Sequence, residues 1–332
     1  MVYNENFMVK NISCNICCNN NYTLVFKAKD LNYRTTDEEF NIVKCKNCGL
    51  VYINPQPVNL EQYYPKTYIP YKSISTDAAF KLPLRRALEL FYGYPCKEFV
   101  PASLMTKLRH IHRLLEINLK DNFFLYRIQY DRTKKILDVG CGNGGYLLSL
   151  KSLGWDACTQ IYGIDFPNEA LEHLKEHEHI NIIEGNFLDT NLPENFFDII
   201  TLRHVLEHLN DPASALKKAF AILKPGGIIL INVPNFKSFE ALVIFREKWR
   251  HIDAPRHLYH FSPETLKKLL NNAGFAVEKI LLKRSVAPFI KSLEHYGYHV
   301  PKFVEKYIIR NMLKLFKLFG YSGELLCKAV KQ

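Results

Sequence analysis

Long apolar runs are missing from this chain. The longest stretches, such as residues 228–233, fall far below the roughly 18 residues that a membrane-crossing helix needs. The N-terminal residues mix Asn, Glu and Lys and hold no apolar signal-peptide core, so a cytoplasmic protein is expected. Nine cysteines among 332 residues do not make a disulfide scaffold. Four of them stand in two C-x-x-C pairs, which points to metal or redox chemistry instead. Acidic residues are in deficit: 33 Asp and Glu face 44 Lys and Arg, a formal charge of +11. That balance favours an anionic partner, whether nucleic acid, a nucleotide-linked metabolite or an acidic membrane surface. What the chain does have is apolar content of 48%, enough for a full α/β core with an accessory segment.

The pairs are Cys14-Asn15-Ile16-Cys17 and Cys45-Lys46-Asn47-Cys48-Gly49. Two such knuckles a few dozen residues apart suit four thiolates around a tetrahedral, closed zinc site. Gly49 allows the tight turn after the second knuckle. Cys18 holds that place in the first and is an extra thiol able to compete as ligand. The expectation is a structural zinc ribbon over residues 1–57, stabilised by the metal by about 10 kcal/mol. Leu50-Val51-Tyr52-Ile53 reads as a strand ended by Pro55 and Pro57. Tyr63, Tyr64, Tyr68 and Tyr71 suit either a wall of a substrate cleft or packing of the small domain on the large one. Residues 58–132 read as a helical connector or cap, apolar and basic, divided by Pro83, Pro95 and Pro101.

From 133 onward the chain is organised around Lys135-Ile136-Leu137-Asp138-Val139-Gly140-Cys141-Gly142-Asn143-Gly144-Gly145-Tyr146. This is a buried strand, a glycine turn and the start of a helix, with helix-start N–H groups suited to an anionic group. Gly140, Gly142 and Gly145 also satisfy the dinucleotide pattern G-x-G-x-x-G, so the loop by itself leaves open a dinucleotide or another nucleotide-like cofactor. Ile161-Tyr162-Gly163-Ile164-Asp165 is a second strand whose terminal acid suits ribose hydroxyls. Strands at 181–184, 198–202, 228–233, 276–282 and 324–330, with a helix at 213–223, complete an alternation of strand and helix. The fold class expected is α/β, a doubly wound parallel sheet.

These residues resemble the class I S-adenosylmethionine-dependent methyltransferases. The resemblance rests on Leu137-Asp138-Val139-Gly140-Cys141-Gly142-Asn143-Gly144, Gly163-Ile164-Asp165, Phe197-Asp198-Ile199-Ile200, Val205-Leu206-Glu207-His208 with Asp211-Pro212, and Leu223-Lys224-Pro225-Gly226-Gly227. Pro255-Arg256-His257-Leu258-Tyr259-His260-Phe261-Ser262 is similar to a bacterial subgroup that modifies sugars and polysaccharides, and the knuckles resemble those of zinc-bearing sugar C-methyltransferases. The resemblance implies a seven-stranded Rossmann-like sheet over 133–332 with a basic helical insert at about 285–322. It implies S-adenosylmethionine as cofactor, with Gly140, Gly142 and Gly144 along its methionine end and Asp138 near its amino group. Asp165 would take its ribose hydroxyls, Asn186 and Phe187 would sit at its adenine, and Leu202 would lie close by. Asp138 and the Lys-Pro-Gly-Gly turn argue against a nicotinamide dehydrogenase.

The segment after the fourth strand supplies His204, Glu207 and His208. Read as a helix, it puts the two histidines on one face. A histidine base poised near neutral pH is one reading, a divalent metal on His204, Glu207 and His208 a second, and bracing of the following loop a third. His251, Asp253, Arg256, His257 and His260 form a second cluster, in which Arg256 suits a phosphate or carboxylate of the substrate. The expected catalytic residues are His204, His257 and His208, and the expected metal ligands Cys14, Cys17, Cys45 and Cys48. The function expected is methyl transfer to a small anionic metabolite: a sugar nucleotide, or a glycan or lipid precursor. An RNA methyltransferase with RNA-binding knuckles and a non-catalytic zinc-containing interaction protein are the alternatives. Lys302, Lys306, Arg310, Lys314 and Lys317 recur among apolar residues, so the 302–319 helix suits either an anionic membrane surface or a solvated basic stripe on the core.

Overall fold

A computed structural model describes residues 8–65 and 128–332. Most of the 58–132 connector, with Tyr68 and Tyr71, therefore lies outside the described residues. The strands run in chain order as β1 (Val9–Lys10), β2 (Tyr22–Ala28), β3 (Phe40–Cys45), β4 (Val51–Ile53), β5 (Gln56–Pro57), β6 (Ile136–Val139), β7 (Ile161–Asp165), β8 (Asn181–Glu184), β9 (Phe197–Arg203), β10 (Leu223–Pro234), β11 (Tyr259–His260), β12 (Phe275–Lys283) and β13 (Glu324–Lys331). The α-helices are α1 (Gly145–Ser152), α2 (Glu169–Glu176), α3 (Pro212–Ile222), α4 (Pro263–Asn272), α5 (Val286–Glu294) and α6 (Arg310–Leu318).

Seven strands form one sheet in the order β12-β13-β10-β9-β6-β7-β8. All four residues of β6 are buried, as expected of a parallel strand covered on both faces. β6 pairs parallel with β7, and β7 with β8. β12 and β13 pair antiparallel from Phe275↔Lys331 to Lys283↔Glu324. The sheet is therefore mixed, not wholly parallel as the alternation of elements implied. The segment between β12 and β13 returns the chain to the end of the sheet from which β13 runs back.

Helix starts follow their local chemistry. Asp211 caps α3, accepting the Ser214 N–H on Oδ1 at 3.0 Å and the Ser214 hydroxyl on Oδ2 at 2.6 Å, and Pro212 opens the helix where no N–H is needed. Ser262 and Thr265 form a reciprocal capping box at α4.

The chain divides into two compact units, one of residues 1–68, 202–220 and 231–332, the other of 69–201 and 221–230. Within the first, the N-terminal segment does not close on itself at residue 57. Its sheet has the order β11-β4-β3-β2, with β4 paired antiparallel to β11 at Tyr52↔Tyr259 and Val51↔His260. Phe40, Ile42, Val51 and Ile53 from this sheet share one buried cluster with Phe245, Trp249, Ile309 and Leu313.

Candidate functional sites

In the second unit the glycine loop follows β6. Gly140, Gly142 and Gly144 all adopt left-handed φ, 67°, 56° and 72°, which glycine alone takes without strain. A Cβ on Gly144 would lie 2.2 Å from Leu174 Cδ1. The N–H groups near the helix start are engaged within the fold. Gly142 donates to Asp165 Oδ2 at 2.6 Å, Gly144 to the Cys141 carbonyl at 2.9 Å, and Gly145 to Asn143 Oδ1 at 3.2 Å. The expectation of free donors for an anion fails for these three, because the turn uses them to hold its own shape. That favours a ligand without a pyrophosphate to grip.

Asp138 is fully buried and accepts the Thr201 hydroxyl at 2.5 Å. Asp165, at the end of β7, accepts Gly142 N–H on one oxygen and Phe166 N–H, at 2.7 Å, on the other. Burial raises its pKa, opposed by those N–H donors. Each oxygen keeps a lone pair for a ribose hydroxyl. Asn186 uses Oδ1 to accept the Leu188 N–H at 3.0 Å, so its side chain shapes its own turn. Phe187 and Leu202 are buried. Bare left-handed glycines followed by a carboxylate at the next strand end fit the methionine and ribose parts of S-adenosylmethionine.

In the first unit, β9 ends at Arg203, and His204 follows with φ 56°. Residues 206–208 form a turn, closed by His208 N–H on the Val205 carbonyl at 2.9 Å. His204 and His208 therefore do not share a helix face. Their surroundings differ instead. His204 Nδ1 lies 3.2 Å from Glu207 Oε1 and Nε2 3.7 Å from Glu324 Oε2. Burial disfavours the charged ring, but the two carboxylates outweigh it and raise its pKa to about 9. Asn232 Nδ2 stands 2.6 Å from Nε2 and donates to Glu324 Oε2 at 3.1 Å. His204 is thus a proton donor at neutral pH.

His208 takes the opposite state, its pKa lowered by burial. Its Nδ1 lies 3.1 Å from the Arg256 carbonyl and 3.1 Å from the Tyr64 hydroxyl. Donation to the carbonyl fixes the tautomer and leaves Nε2 with its lone pair. His257 is anchored alike, Nδ1 on the His251 carbonyl at 2.8 Å, and burial holds its pKa well below the usual value. The two rings meet edge to face at 4.5 Å between centroids. One ligand atom each from Glu207, His208 and His257 lie within 4.8 Å of one another, and Glu207 Oε2 is buried without a partner. Two imidazoles and a carboxylate are a donor set for a divalent cation, which would take the His208 Nε2 lone pair that a base needs. The set contains His257 in place of the expected His204, whose nitrogens face Glu207 and Glu324.

Arg256 overturns its expected role. The side chain is wholly buried and its guanidinium is spent. Nη1 donates to Asp30 Oδ2 and to the Tyr63 carbonyl, both at 2.9 Å, and Nη2 donates to Asp30 Oδ1 at 2.5 Å and Asp253 Oδ1 at 2.8 Å. No donor is left for a substrate anion. Tyr63 is buried, its ring 5.9 Å from Phe40, and so is packing, while Tyr64 reaches His208. His260 is buried in β11, and burial lowers its pKa to about 3. Asp30, Asn232 and Glu324 carried no sequence signal. They stand far from their partners in the chain and belong to no motif.

The four cysteines do come together. Ligand atoms of Cys14, Cys17, Cys45 and Cys48 lie within 4.8 Å of one another, Cys14 Sγ 3.3 Å from Cys48 Sγ and Cys17 Sγ 3.6 Å from Cys45 Sγ. These separations exceed a disulfide bond and approach the edges of a tetrahedron with Zn–S of about 2.3 Å. The knuckles repeat each other: Cys18 N–H donates to the Cys14 carbonyl at 2.8 Å and Gly49 N–H to the Cys45 carbonyl at 3.0 Å. Cys18 adopts φ 54° where Gly49 has 82°. Cys18 is exposed and stays outside the sulfur cluster. Asn15, inside the first knuckle, donates to Asp211 Oδ1 at 3.0 Å and accepts the Ala213 N–H at 2.7 Å.

A family described as a methyltransferase domain matches residues 106–280, more than half of the chain. A protein of Mycolicibacterium smegmatis named a probable S-adenosylmethionine-dependent methyltransferase is 29% identical over 45% of this chain and 54% of its own length. The chain thus spans about half of that relative. The ubiquinone biosynthesis O-methyltransferase of Haemophilus ducreyi is 26% identical over 54% of this chain and 74% of its own. The structure of a SAM-dependent methyltransferase from Archaeoglobus fulgidus covers 70% of this chain and 100% of its own, at 22% identity and a TM-score of 0.44.

Proposed function

This chain belongs to the methyltransferase-domain family, and on that premise we propose that it moves the methyl group of S-adenosylmethionine onto a hydroxyl oxygen of a glycan or lipid precursor. The observation that carries the choice of oxygen is the neutral, anchored His208 with an unprotonated Nε2. A sulfonium supplies a methyl group that leaves by a single in-line displacement; a hydroxyl acceptor must lose its proton as that happens, and a positioned histidine contributes roughly 10²–10⁴ in rate.

In this reading the loop at Gly140, Gly142 and Gly144 holds the donor, with Asp165 on its ribose. Within the first unit His208 is the candidate base through Nε2, and the Arg256 carbonyl holds its ring in the tautomer this needs. His204, charged between Glu207 and Glu324, is spent on those two carboxylates and holds Glu207 in place. A sugar nucleotide loses support because Arg256 is consumed by Asp30 and Asp253, so the acceptor class narrows towards glycan or lipid precursors. Relatives named ubiquinone biosynthesis O-methyltransferases support an oxygen acceptor. The cysteine cluster is proposed to hold a structural zinc.

Calorimetry with S-adenosylmethionine, together with S-adenosylhomocysteine release over a panel of catechols and sugar hydroxyls, tests the reading. His208→Gln is expected to bind the donor as wild type does while losing about two orders of magnitude or more in turnover. A variant that turns over at the wild-type rate removes His208 as the base, and absence of donor binding removes the function.

A further inference from the structure

The segment between β12 and β13 is helical over 302–318, with a π-helical stretch at Val304–Ile309 that runs into α6. An ordinary surface helix has two sectors, one buried and apolar, one exposed and charged. This one has three. Ile309 and Leu313 are buried, and Met312 and Phe316 pack against the same core cluster, with Phe316 4.8 Å from Phe239. Arg310, Lys314 and Lys317 stand three and four residues apart and make an exposed cationic row. Leu315, Leu318 and Phe319 make the third sector, and they are 55%, 80% and 75% exposed. The preceding turns repeat the arrangement, with Phe303, Tyr307 and Ile308 more than half exposed beside the exposed Lys302 and Lys306.

Contiguous apolar surface of this kind on a soluble face marks a contact site. Its borders say what it contacts. Over 302–319 five cations face one acid, Glu305, which is already bound to Arg310 Nη2 at 2.7 Å. A second copy docking two-fold through this face would bring two cationic rows together. A nucleic acid would satisfy the lysines and leave Leu315 and Leu318 against phosphate. An anionic bilayer answers both features, taking the apolar sector into the acyl boundary while its headgroups meet the cations.

We propose that the 302–319 helix is an in-plane docking surface for anionic lipid, seated through Leu315, Leu318 and Phe319 and edged by Lys314 and Lys317. The surface stands independently of the methyl-transfer reading, since none of its residues belongs to the donor loop or the histidine cluster.

Co-sedimentation of the full chain with phosphatidylcholine vesicles, with and without phosphatidylglycerol, tests it. The chain is expected to sediment with the anionic vesicles and to be released by added salt. Lys314→Gln/Lys317→Gln should weaken binding roughly 25-fold, from about fivefold per cation. Leu318→Ser/Phe319→Ser should weaken it at least tenfold at any salt, with an unchanged thermal midpoint because both side chains are exposed. Failure to bind anionic vesicles, or binding indifferent to the Leu318→Ser/Phe319→Ser change, overturns the proposal. Retention by a single-stranded RNA homopolymer in place of vesicles does so too, as does a wild-type dimer that this same change dissociates.

Discussion

Two groups, the buried Arg256 and the half-buried His208, carry the sharpest consequences at the scale of single residues. Arg256 neutralises Asp30 and Asp253 inside the first unit. Burial alone raises an Asp pKa, but the guanidinium and the Thr35 hydrogen bonds bring that of Asp30 down to about 2. A carboxyl depressed on folding adds stability above its unfolded pKa, near 3.8, and loses it as pH falls through 2. The amount is about 2 kcal/mol for Asp30. Removing the cation costs more, because two carboxylates are left buried: Arg256→Met should lose about 3–5 kcal/mol in urea unfolding at pH 7. A loss below about 1 kcal/mol would mean that the pair is solvated and structurally idle. His208 makes the other statement. A base must be neutral to accept a proton, and its lowered pKa places the acid limb of kcat/KM below the usual histidine value of about 6.5. A limb above that value would move the base elsewhere. That His204 is a charged donor was not legible in the sequence, since it depends on Glu324, 120 positions away in the chain.

The knuckles show how far spacing determines an element. Two C-x-x-C pairs foretold four converging sulfurs, and the glycine after the second foretold its left-handed turn. The first knuckle makes the same turn with Cys18, a conformation that costs a residue bearing a Cβ about 1 kcal/mol. Metal analysis of the purified chain should give one zinc per chain. Cys45→Ser should abolish that zinc, while Cys18→Gly should keep it and leave the domain equally or slightly more stable. Loss of zinc in Cys18→Gly would place Cys18 among the ligands. The histidine segment misled for the opposite reason. A spacing of four suggests a helix face, but the Leu206–His208 peptide turns back so that the Glu207 carbonyl can accept the Leu258 N–H at 2.8 Å, and long-range pairing overrides local periodicity.

Over the whole molecule, the N-terminal segment is built into the first unit. β4 pairs with β11, Asn15 ties the first knuckle to the start of α3, and Asp30 meets Arg256. Removing residues 1–65 would strip β11 of its partner strand and leave Arg256 and the Phe245–Trp249 face without cover. The truncated chain is expected to lose hydrogen-exchange protection at 249–261 and to expose apolar surface to a hydrophobic dye. Native protection there in the shortened chain would show that the segment is a detachable domain. No helix among the described residues is long and apolar enough to cross a membrane, in keeping with the absence of long apolar runs.

The sequence by itself determined what is written in neighbouring residues: the strands and their glycine turn, the acid after the next strand, the convergence of four cysteines. Each follows from backbone preferences or short spacings that leave little choice. Tertiary structure alone decided charge and occupancy. It gave Arg256 to Asp30 instead of to a substrate, made His204 a donor and His208 an acceptor, ran the last strand antiparallel, and left one sector of the 302–319 helix bare. Those outcomes depend on which distant groups share a desolvated volume, because burial and partner charge, not residue type, set a protonation state and a hydrogen-bond inventory.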